Sequence, residues 1–139
     1  MKLKVVLDTG AYMPTRAHKA DAGYDLYSRE TATIFPNSSG VFDTGVHMEI
    51  PKNHCGLIVS KSGLNINSGC QSDGLIDSGY TGSIRVKLYN HGTRAIRIHE
   101  GQKISQIVLL PIITPDLELA NSLDETERGD NGFGSSGKF

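Results

Sequence analysis

The octapeptide SIRVKLYN, residues 83–90, decides the fold class because its side chains alternate between two chemical types. Ile84, Val86 and Leu88 are apolar, and polar side chains stand between them at positions 83, 85 and 87. Successive side chains of a β-strand point to opposite faces of a sheet, so this period of two predicts a strand with one buried face. Such a face requires a second layer of structure to cover it.

The same period of two recurs in short segments that are separated by turn-forming residues. These segments are LKVVL (3–7), GVHMEI (45–50), AIRI (95–98) and KISQIVLLPI (103–112), in a chain with 16 glycines and 5 prolines. No window carries a helical stripe for more than about two turns. The sequence therefore predicts an all-β domain built as a sandwich, jelly roll or barrel.

Length, composition and charge limit the classes of function. The 139 residues suit one domain, and 37% hydrophobic with 21% charged residues is typical of a globular protein. A net charge of −1 provides no surplus of Lys and Arg for nucleic acid. No apolar run approaches the ~20 residues of a membrane span, and MKLKVVLDTG lacks a signal peptide's apolar core, so we expect a cytoplasmic protein without membrane contact. Cys55 and Cys70 lack metal or disulfide spacing and are expected to be reduced thiols.

The apolar pattern ends near Asn121, where a polar, glycine-rich segment begins. We therefore expect a body formed by residues 1–120 and a mobile C-terminal arm formed by residues 121–139.

Five stretches depart from the sandwich pattern. In ADAGYDLYS (20–28), Asp25 stands near the start of an apparent strand, where an acidic residue is either a turn former or a functional group. In SKSGLN (60–65), Lys61, Ser62 and Gly63 follow an apolar strand. Backbone N–H groups at such a junction can converge on phosphate, and the lysine adds a positive charge.

The third stretch, DGLIDSGYTG (73–82), predicts a hairpin whose glycines allow tight turns and close approach of a ligand. Asp77 and Tyr80 lie three residues apart at its rim, which suggests a pocket, although a lone Asp there is usually a turn former. In the fourth, GQKISQIVLLP (101–111), Gln106 interrupts an apolar strand and needs a partner in the protein or in a ligand.

The fifth stretch is the tail ERGDNGFGSSGKF, residues 127–139. Arg128 can form a bidentate fork with phosphate oxygens, Phe133 can stack on a flat base, and Ser135 and Ser136 can donate to phosphate. Glycines such as Gly134 let the backbone wrap closely around a ligand.

In this order, the five stretches resemble the five motifs of the trimeric dUTPases (dUTP nucleotidohydrolases), from about Ala20 to Gly137. GLIDSGYTG and RGDNGFGSSG are the most specific parts of the resemblance. It implies a distorted β jelly roll, a homotrimer with active sites at subunit interfaces, and Mg²⁺ as cofactor. It also implies hydrolysis of dUTP to dUMP and pyrophosphate, which keeps uracil out of DNA and supplies dUMP for thymidylate synthesis.

The resemblance also implies roles for individual residues. Asp77 would be the catalytic residue that activates the attacking water, Tyr80 would pack under the deoxyribose, and Asp25 would hold Mg²⁺ through its water shell. The backbone at Gly74 and Ile76 would contact the uracil edge. The other substrate-binding residues implied by the motifs are Lys61, Ser62, Gly63, Gln106, Arg128, Phe133, Gly134, Ser135 and Ser136.

Some positions depart from the usual family motifs. Lys61 stands where the family usually has Arg, which keeps the charge but loses the planar fork. Gly79, Thr81, Asn131 and Ser136 also differ from the usual residues, and none of these departures removes a catalytic group.

Three other functions remain compatible with parts of the pattern. A dCTP deaminase shares the fold, but the catalytic Glu of that family would fall at Lys87. A nucleotide-sensing regulatory protein could use ordering of the arm as a switch, which leaves a regulatory protein partner open. The third alternative is a structural jelly-roll protein without catalytic function.

Overall fold

The computed structural model describes residues Met1–Phe139 and contains eleven strands and one short helix. The strands are β1 (Val5–Leu7), β2 (Gly23–Tyr27), β3 (Ala32–Ile34), β4 (Ser38–Asp43), β5 (Val46–Met48), β6 (His54–Ser60), β7 (Cys70–Gln71), β8 (Asp73–Asp77), β9 (Arg85–Asn90), β10 (Ile96–Ile98) and β11 (Lys103–Pro111), and the helix is α1 (Ser62–Ser68). The prediction of an all-β protein is confirmed.

The strands form four antiparallel sheets around one hydrophobic core. The largest sheet has the order β2-β11-β6-β8, and the others have the orders β4-β9-β7, β1-β5 and β10-β3. Fourteen buried residues from several of these sheets form a single cluster. The strands at the centre of the largest sheet, β6 and β11, carry or adjoin most of the polar residues of interest.

Strand β9 has the alternation expected from its sequence. Val86 and Leu88 are buried, as is Ile84 just before the strand, while Arg85 and Lys87 are exposed. The prediction for GVHMEI is confirmed in the same way, because its three apolar side chains at positions 46, 48 and 50 are all buried. In LKVVL the shared face is only partly covered, since position 7 lies at the margin of the small β1-β5 sheet and is 40% exposed.

The hairpin prediction for residues 73–82 is wrong. Strand β8 pairs with β6, whereas β9 pairs with β4 and β7, so the chain crosses between two sheets after β8. None of Gly74, Gly79 and Gly82 has a positive φ, so none of them forms the kind of tight turn that needs glycine. The stretch does contain a strand, β8, but its partner is β6 rather than the strand that follows it in the chain.

The helix α1 is absent from the expectations drawn from the sequence. It begins directly after β6, and Gly69 ends it in a left-handed conformation with φ 67°, where glycine has no steric cost. Leu64 is the side chain of α1 that packs against the core. A glycine after a short polar segment was the available signal, and one apolar anchor in seven residues was too little to produce a helical stripe.

The chain after β11 contains no further strand or helix. Ile112 N–H donates to Asn53 O at 2.8 Å, and the hydrogen bonds formed by residues 113–139 lie within that segment. The boundary at residues 120 and 121 stays a prediction. Cys55 and Cys70 are free and buried, and no helix is long and apolar enough to cross a membrane.

Leu88→Ala tests the core assignment of β9. Leu88 is 1% exposed, so its truncation is expected to lower the free energy of unfolding by about 2–5 kcal/mol. Lys87→Ala, on the exposed face of the same strand, is the matched control and should change it by no more than about 0.5 kcal/mol. Urea denaturation at equal protomer concentration measures both; equal losses in the two variants would contradict the burial of this face.

Candidate active site

Asp25 lies at the centre of a compact group of charged and polar side chains. It belongs to β2, where it pairs with Gln106 of β11, and it is only 4% exposed. Oδ1 accepts from Nζ of Lys61 at 2.7 Å, and Oδ2 accepts from Nζ of Lys103 at 2.9 Å. The interpretation of Asp25 as a turn former is therefore wrong, because it is a buried strand residue whose carboxylate is neutralised by two lysines.

The two lysines keep the Asp25 carboxylate ionised. Burial raises the pKa of Asp25, but hydrogen bonds and charges from Lys61 and Lys103 outweigh burial and hold the pKa below its ordinary value of 3.8. In turn, the hydrogen bond to Asp25 raises the pKa of Lys103. The site therefore contains a buried negative charge and two positive charges at neutral pH.

The segment SKSG lies next to this group. Strand β6 ends at Ser60 and α1 begins at Ser62, with Lys61 between them in an extended conformation. The first N–H groups of a helix have no intrahelical acceptor, so those at Ser62 and Gly63 can donate to an anion. Gly63 is open, because nothing lies within 4 Å of the position that a Cβ would take.

Gln106 has the protein partner that its position requires. Its Nε2 donates to Ser60 O at 3.0 Å, which ties β11 to the end of β6. Its amide also packs against Gly23, where a Cβ would lie 2.2 Å from Oε1. Gln106 is half-buried beside Asp25. The structure thus brings Asp25, Lys61, Ser62, Gly63 and Gln106 together as one polar group, hereafter the anion group.

Asp77 and Tyr80 form a second group at the end of β8. Tyr80 N–H donates to Asp77 O at 3.1 Å, and Tyr80 Oη donates to Ser83 O at 2.8 Å. The ring lies so close to Gly82 that a Cβ there would be 2.4 Å from Oη. Gly82 is thus required for the position of the aromatic ring. The sequence had suggested instead that this glycine leaves room for a ligand.

An open pocket of about 230 Å³ adjoins this second group. Asp77 is exposed at its edge, and Tyr80 is 44% exposed. Ligand pockets usually have about 300–1,000 Å³, so this one is small for a nucleoside triphosphate. The residues that line it are Leu75, Ile76, Asp77, Tyr80, Ser83 and Arg85.

The two groups lie far apart within one chain. Asp77 pairs with Cys55 near the start of β6, whereas Lys61 follows the end of the same strand. Six residues of extended chain at about 3.3 Å each separate Cys55 from Lys61, a distance of about 20 Å. One chain therefore does not bring Asp77 and the anion group together.

The tail residues are exposed and lie in turns. Arg128 Nε donates to Asn131 O at 2.8 Å, and Phe133 is fully exposed with φ 40°. Gly134 has φ 100°, which favours glycine at that position. Ser135 and Ser136 are exposed and make no side-chain hydrogen bond. All the hydrogen bonds of this segment are local, so the described conformation does not join the tail to either group.

Lys103 is the residue that the sequence analysis missed. It begins β11, where an isolated lysine is most often a solvated side chain, and its role comes from the pairing of β11 with β2. A charged residue three positions before a half-buried glutamine on one strand was the only available signal.

A family model for dUTPase matches residues 9–137 of the chain. The chain belongs to the dUTPase family. The deoxyuridine 5'-triphosphate nucleotidohydrolase of Yarrowia lipolytica is 40% identical over 141 residues, covering 99% of this chain and 90% of that protein. The corresponding enzyme of Monkeypox virus is 42% identical over 127 residues, covering 91% of this chain and 84% of that protein.

Solved dUTPase structures share the fold over nearly the whole chain. The dUTPase of Staphylococcus bacteriophage 80alpha, as a mutant with dUpNHpp, has a TM-score of 0.93 and 32% identity, covering 99% of each chain. A mutant dUTPase from phage phi11 of S. aureus, in which a structural Mg(II) ion is coordinated, has a TM-score of 0.82 and 31% identity, covering 88% of this chain and 98% of that chain. The predicted dUTPase type of jelly roll is confirmed.

The residues present fit a magnesium ion that is held mainly by water and substrate oxygens. Mg²⁺ prefers oxygen ligands and usually keeps several waters. No group of three or more His, Cys, Asp or Glu side chains could hold a metal ion alone. Each Asp25 oxygen accepts from one lysine and retains a second lone pair, which can accept from a metal-bound water.

Asp25→Asn tests the charge balance of the anion group. The pKa of Asp25 is lower in the folded protein, so the stabilisation from its carboxylate is complete above about 3.8 and is lost as the pH falls through the folded-state value. At pH 7 the free energy of unfolding of the variant should be about 1–2 kcal/mol lower than that of the wild type. The loss is modest because Lys103 is 44% exposed and its charge is screened by water.

Urea denaturation of wild type and variant between pH 7 and pH 3 measures this difference. It should narrow below pH 3.8, because Asp25 of the unfolded wild type then takes up a proton while the folded carboxylate is still ionised. Asp116→Asn, at an exposed position beyond β11, is the control with the same charge change. A difference that stays constant over the whole range would contradict the lowered pKa of Asp25 in the folded protein.

Proposed function

We propose that this chain hydrolyses dUTP to dUMP and pyrophosphate at a site formed by Asp77, Tyr80 and the anion group. Membership of the dUTPase family, whose model matches residues 9–137, is the observation that carries the proposal. Two relatives with this activity in their names match 99% of the chain, which supports the same activity here. Lys87 stands where a dCTP deaminase would have its catalytic Glu, which disfavours that alternative.

The complete site is assembled by three copies of the chain. The distance of about 20 Å between Asp77 and Lys61 along β6 supports this, since a triphosphate bound at Lys61 cannot place its α-phosphate at Asp77 of the same chain. The small pocket beside Tyr80 agrees with a site that other subunits complete. One subunit contributes Asp77 and Tyr80, a second the anion group, and a third the tail, as implied by the homotrimers of the family.

The arm is long enough to reach a neighbouring subunit. Sixteen residues lie between Pro111, the end of β11, and Arg128, and the seventeen residue-to-residue steps span at most about 60 Å when extended. Arg128, Ser135 and Ser136 would then contact phosphate, and Phe133 would stack on the uracil with Gly134 beside it. Closure of the arm would exclude water from the reacting groups.

Asp77 acts as the general base. Its carboxylate is exposed at the end of β8, where the strand pairing with β6 fixes the backbone while the side chain faces the pocket. It accepts the proton of the water that attacks the α-phosphorus, and such a base is typically worth about 10²–10⁴-fold in rate. Lys61, Arg128 and the N–H groups of Ser62 and Gly63 stabilise the negative charge on the phosphate oxygens.

Gln106 and Asp25 position the residues that bind phosphate. Gln106 fixes the end of β6 through Ser60, which sets the position of Lys61. Asp25 would hold a magnesium ion through the waters bound to it. Mg²⁺, when it is bound with the triphosphate, neutralises part of the phosphate charge and favours one arrangement of the three phosphates.

The free edge of β8 determines the preference for uracil. β8 is the last strand of its sheet, so the backbone groups of residues 74–76 that point away from β6 have no strand partner. An edge strand can offer both a donor and an acceptor to the edge of a planar base. Cytosine presents the reverse pattern, and unpaired buried groups can cost about 10⁴–10⁵ in discrimination. The ring of Tyr80 excludes a 2′-hydroxyl by contact with the sugar.

Asp77→Asn tests the catalytic assignment. The variant should fold and bind dUTP, but kcat should fall by about 10²–10⁴-fold because the amide cannot accept the proton. The measurement is pyrophosphate release from each dNTP and from UTP, with Mg²⁺ and with chelator. Asp73→Asn is the matched control, since Asp73 is an exposed aspartate at the other end of β8. Wild-type kcat in Asp77→Asn, or activity of the wild type on all nucleotides, would refute the proposal.

Truncation after Glu127 tests the role of the tail. The shortened protein should keep its fold, while kcat/KM for dUTP should fall at least about 100-fold, because base stacking and charge-assisted phosphate contacts are lost together. Truncation after Gly137 is the control, since it retains Arg128 and the segment from Phe133 to Ser136. Full kcat/KM in the shorter protein would show that the tail does not close the site.

A further inference from the structure

His47 lies on β5, outside the anion group and the group formed by Asp77 and Tyr80. Its imidazole lies between the segment after β8 and the segment after β1. Nδ1 is 2.8 Å from the carbonyl oxygen of Thr81, which directly follows Tyr80. Nε2 is 3.0 Å from Oδ1 of Asp8, just after the end of β1. We call residues 78–84, between β8 and β9, the substrate loop. His47 therefore connects this loop to the β1-β5 sheet.

Both atoms that face the imidazole are hydrogen-bond acceptors. A carbonyl oxygen and a carboxylate oxygen have no hydrogen to donate, so each ring nitrogen must carry one for both contacts to form. Only the imidazolium carries two N–H groups. When His47 is neutral it keeps one N–H, and it can donate either to Thr81 or to Asp8 but not to both.

The surroundings of His47 favour its protonated form. The hydrogen bond with Thr81 and then that with Asp8 raise the pKa of His47 above its ordinary value of 6.5, despite some burial. Asp43 on β4 adds a further negative charge. His47, Asp8 and Thr81 line a surface pocket. Its other charged groups, Lys4 and Glu49, form an ion pair with each other at 3.0 Å.

The other attachments of the substrate loop to β4, β5 and the turn between them do not titrate near neutral pH. Ser83 Oγ donates to the carboxylate of Asp43, whose pKa is lowered chiefly by this hydrogen bond. Ile84 O accepts from Thr44 Oγ1 at 2.6 Å and from Thr44 N–H at 3.0 Å, and Ile84 N–H donates to Val46 O at 2.8 Å. The attachment at Thr81, next to Tyr80, is therefore the one whose strength can change between about pH 6 and pH 9.

We propose that protonated His47 is a positioning residue that holds the substrate loop, and with it Tyr80, in the conformation that binds the nucleotide. The inference rests on the proposed role of Tyr80 in the dUTP site. Asp77 is held separately by the pairing of β8 with β6, so loosening the loop should weaken binding more than it slows the chemical step. By linkage, a bound nucleotide should also raise the pKa of His47.

Asp8→Asn and His47→Ala have opposite expected effects, which separates positioning from a general structural role. The amide introduced by Asp8→Asn can donate to Nε2 of neutral His47, so Nδ1–H keeps its bond to Thr81 at every pH. KM for dUTP should therefore stay low from pH 6 to pH 9. His47→Ala removes the bond at every pH, so KM should be about 2- to 10-fold higher at pH 6 and should not rise further through this group.

The experiment measures kcat and KM for dUTP hydrolysis between pH 6 and pH 9 in wild type and the two variants. His99→Ala is the control, because His99 is exposed and its ring makes no hydrogen bond. Any change of KM caused by protonation of dUTP itself will also occur in this variant. Wild type and His99→Ala should show the same rise of KM as His47 loses its proton, with kcat nearly unchanged. NMR titration of His47, identified by the signal missing in His47→Ala, should shift to higher pH with the non-hydrolysable analogue dUpNHpp.

Parallel pH profiles of KM in wild type and His47→Ala would overturn the inference, as would a His47 titration that the analogue leaves unmoved. Lower stability of His47→Ala with unchanged KM would show that the contact is structural only. These results leave the proposed function intact, because the wild type still hydrolyses dUTP. Absence of dUTP hydrolysis by the wild type at every pH would refute the proposed function and the inference with it.

Discussion

The antiparallel register of β6 is the constraint on which the site depends. At one end β6 pairs Cys55 with Asp77, and at the other end it leads into Lys61 and α1. β11 pairs with the opposite edge of β6 and brings Gln106 to Val59, close to that second end. A shift of one residue would turn every side chain of β6 to the other face, so the core and both polar groups hold the same register.

The buried Asp25 carboxylate makes this register chemically specific. An unpaired carboxylate that is 4% exposed would be costly, and two lysines from different elements, Lys61 and Lys103, compensate it. Their distances of 2.7 and 2.9 Å require β2, β6 and β11 to meet in this arrangement. The same charges form the part of the molecule suited to phosphate and to the waters of a magnesium ion. The packing of three strands and the charge of this polar group therefore depend on the same three side chains.

Most of the strands and the motif residues could be predicted from sequence, because their signals are local. Alternation in residues 83–90 follows from the two faces of a strand, and it correctly predicted that Ile84, Val86 and Leu88 are buried. The order of five polar stretches was enough to predict the family that the comparisons show. The hairpin and α1 were not predicted correctly, because strand partners and a seven-residue helix with one core contact depend on distant residues.

The sequence by itself determined which side chains face the core, which residue types carry the chemistry and to which family the chain belongs. Only the tertiary structure decided that β8 is an edge strand on β6, that Lys103 shares Asp25 with Lys61, and that His47 reaches Thr81. The reason is physical: side-chain alternation depends on neighbouring residues, whereas these contacts join positions 14 to 78 residues apart. Their geometry is set by strand register and packing, and no local pattern in the chain records it.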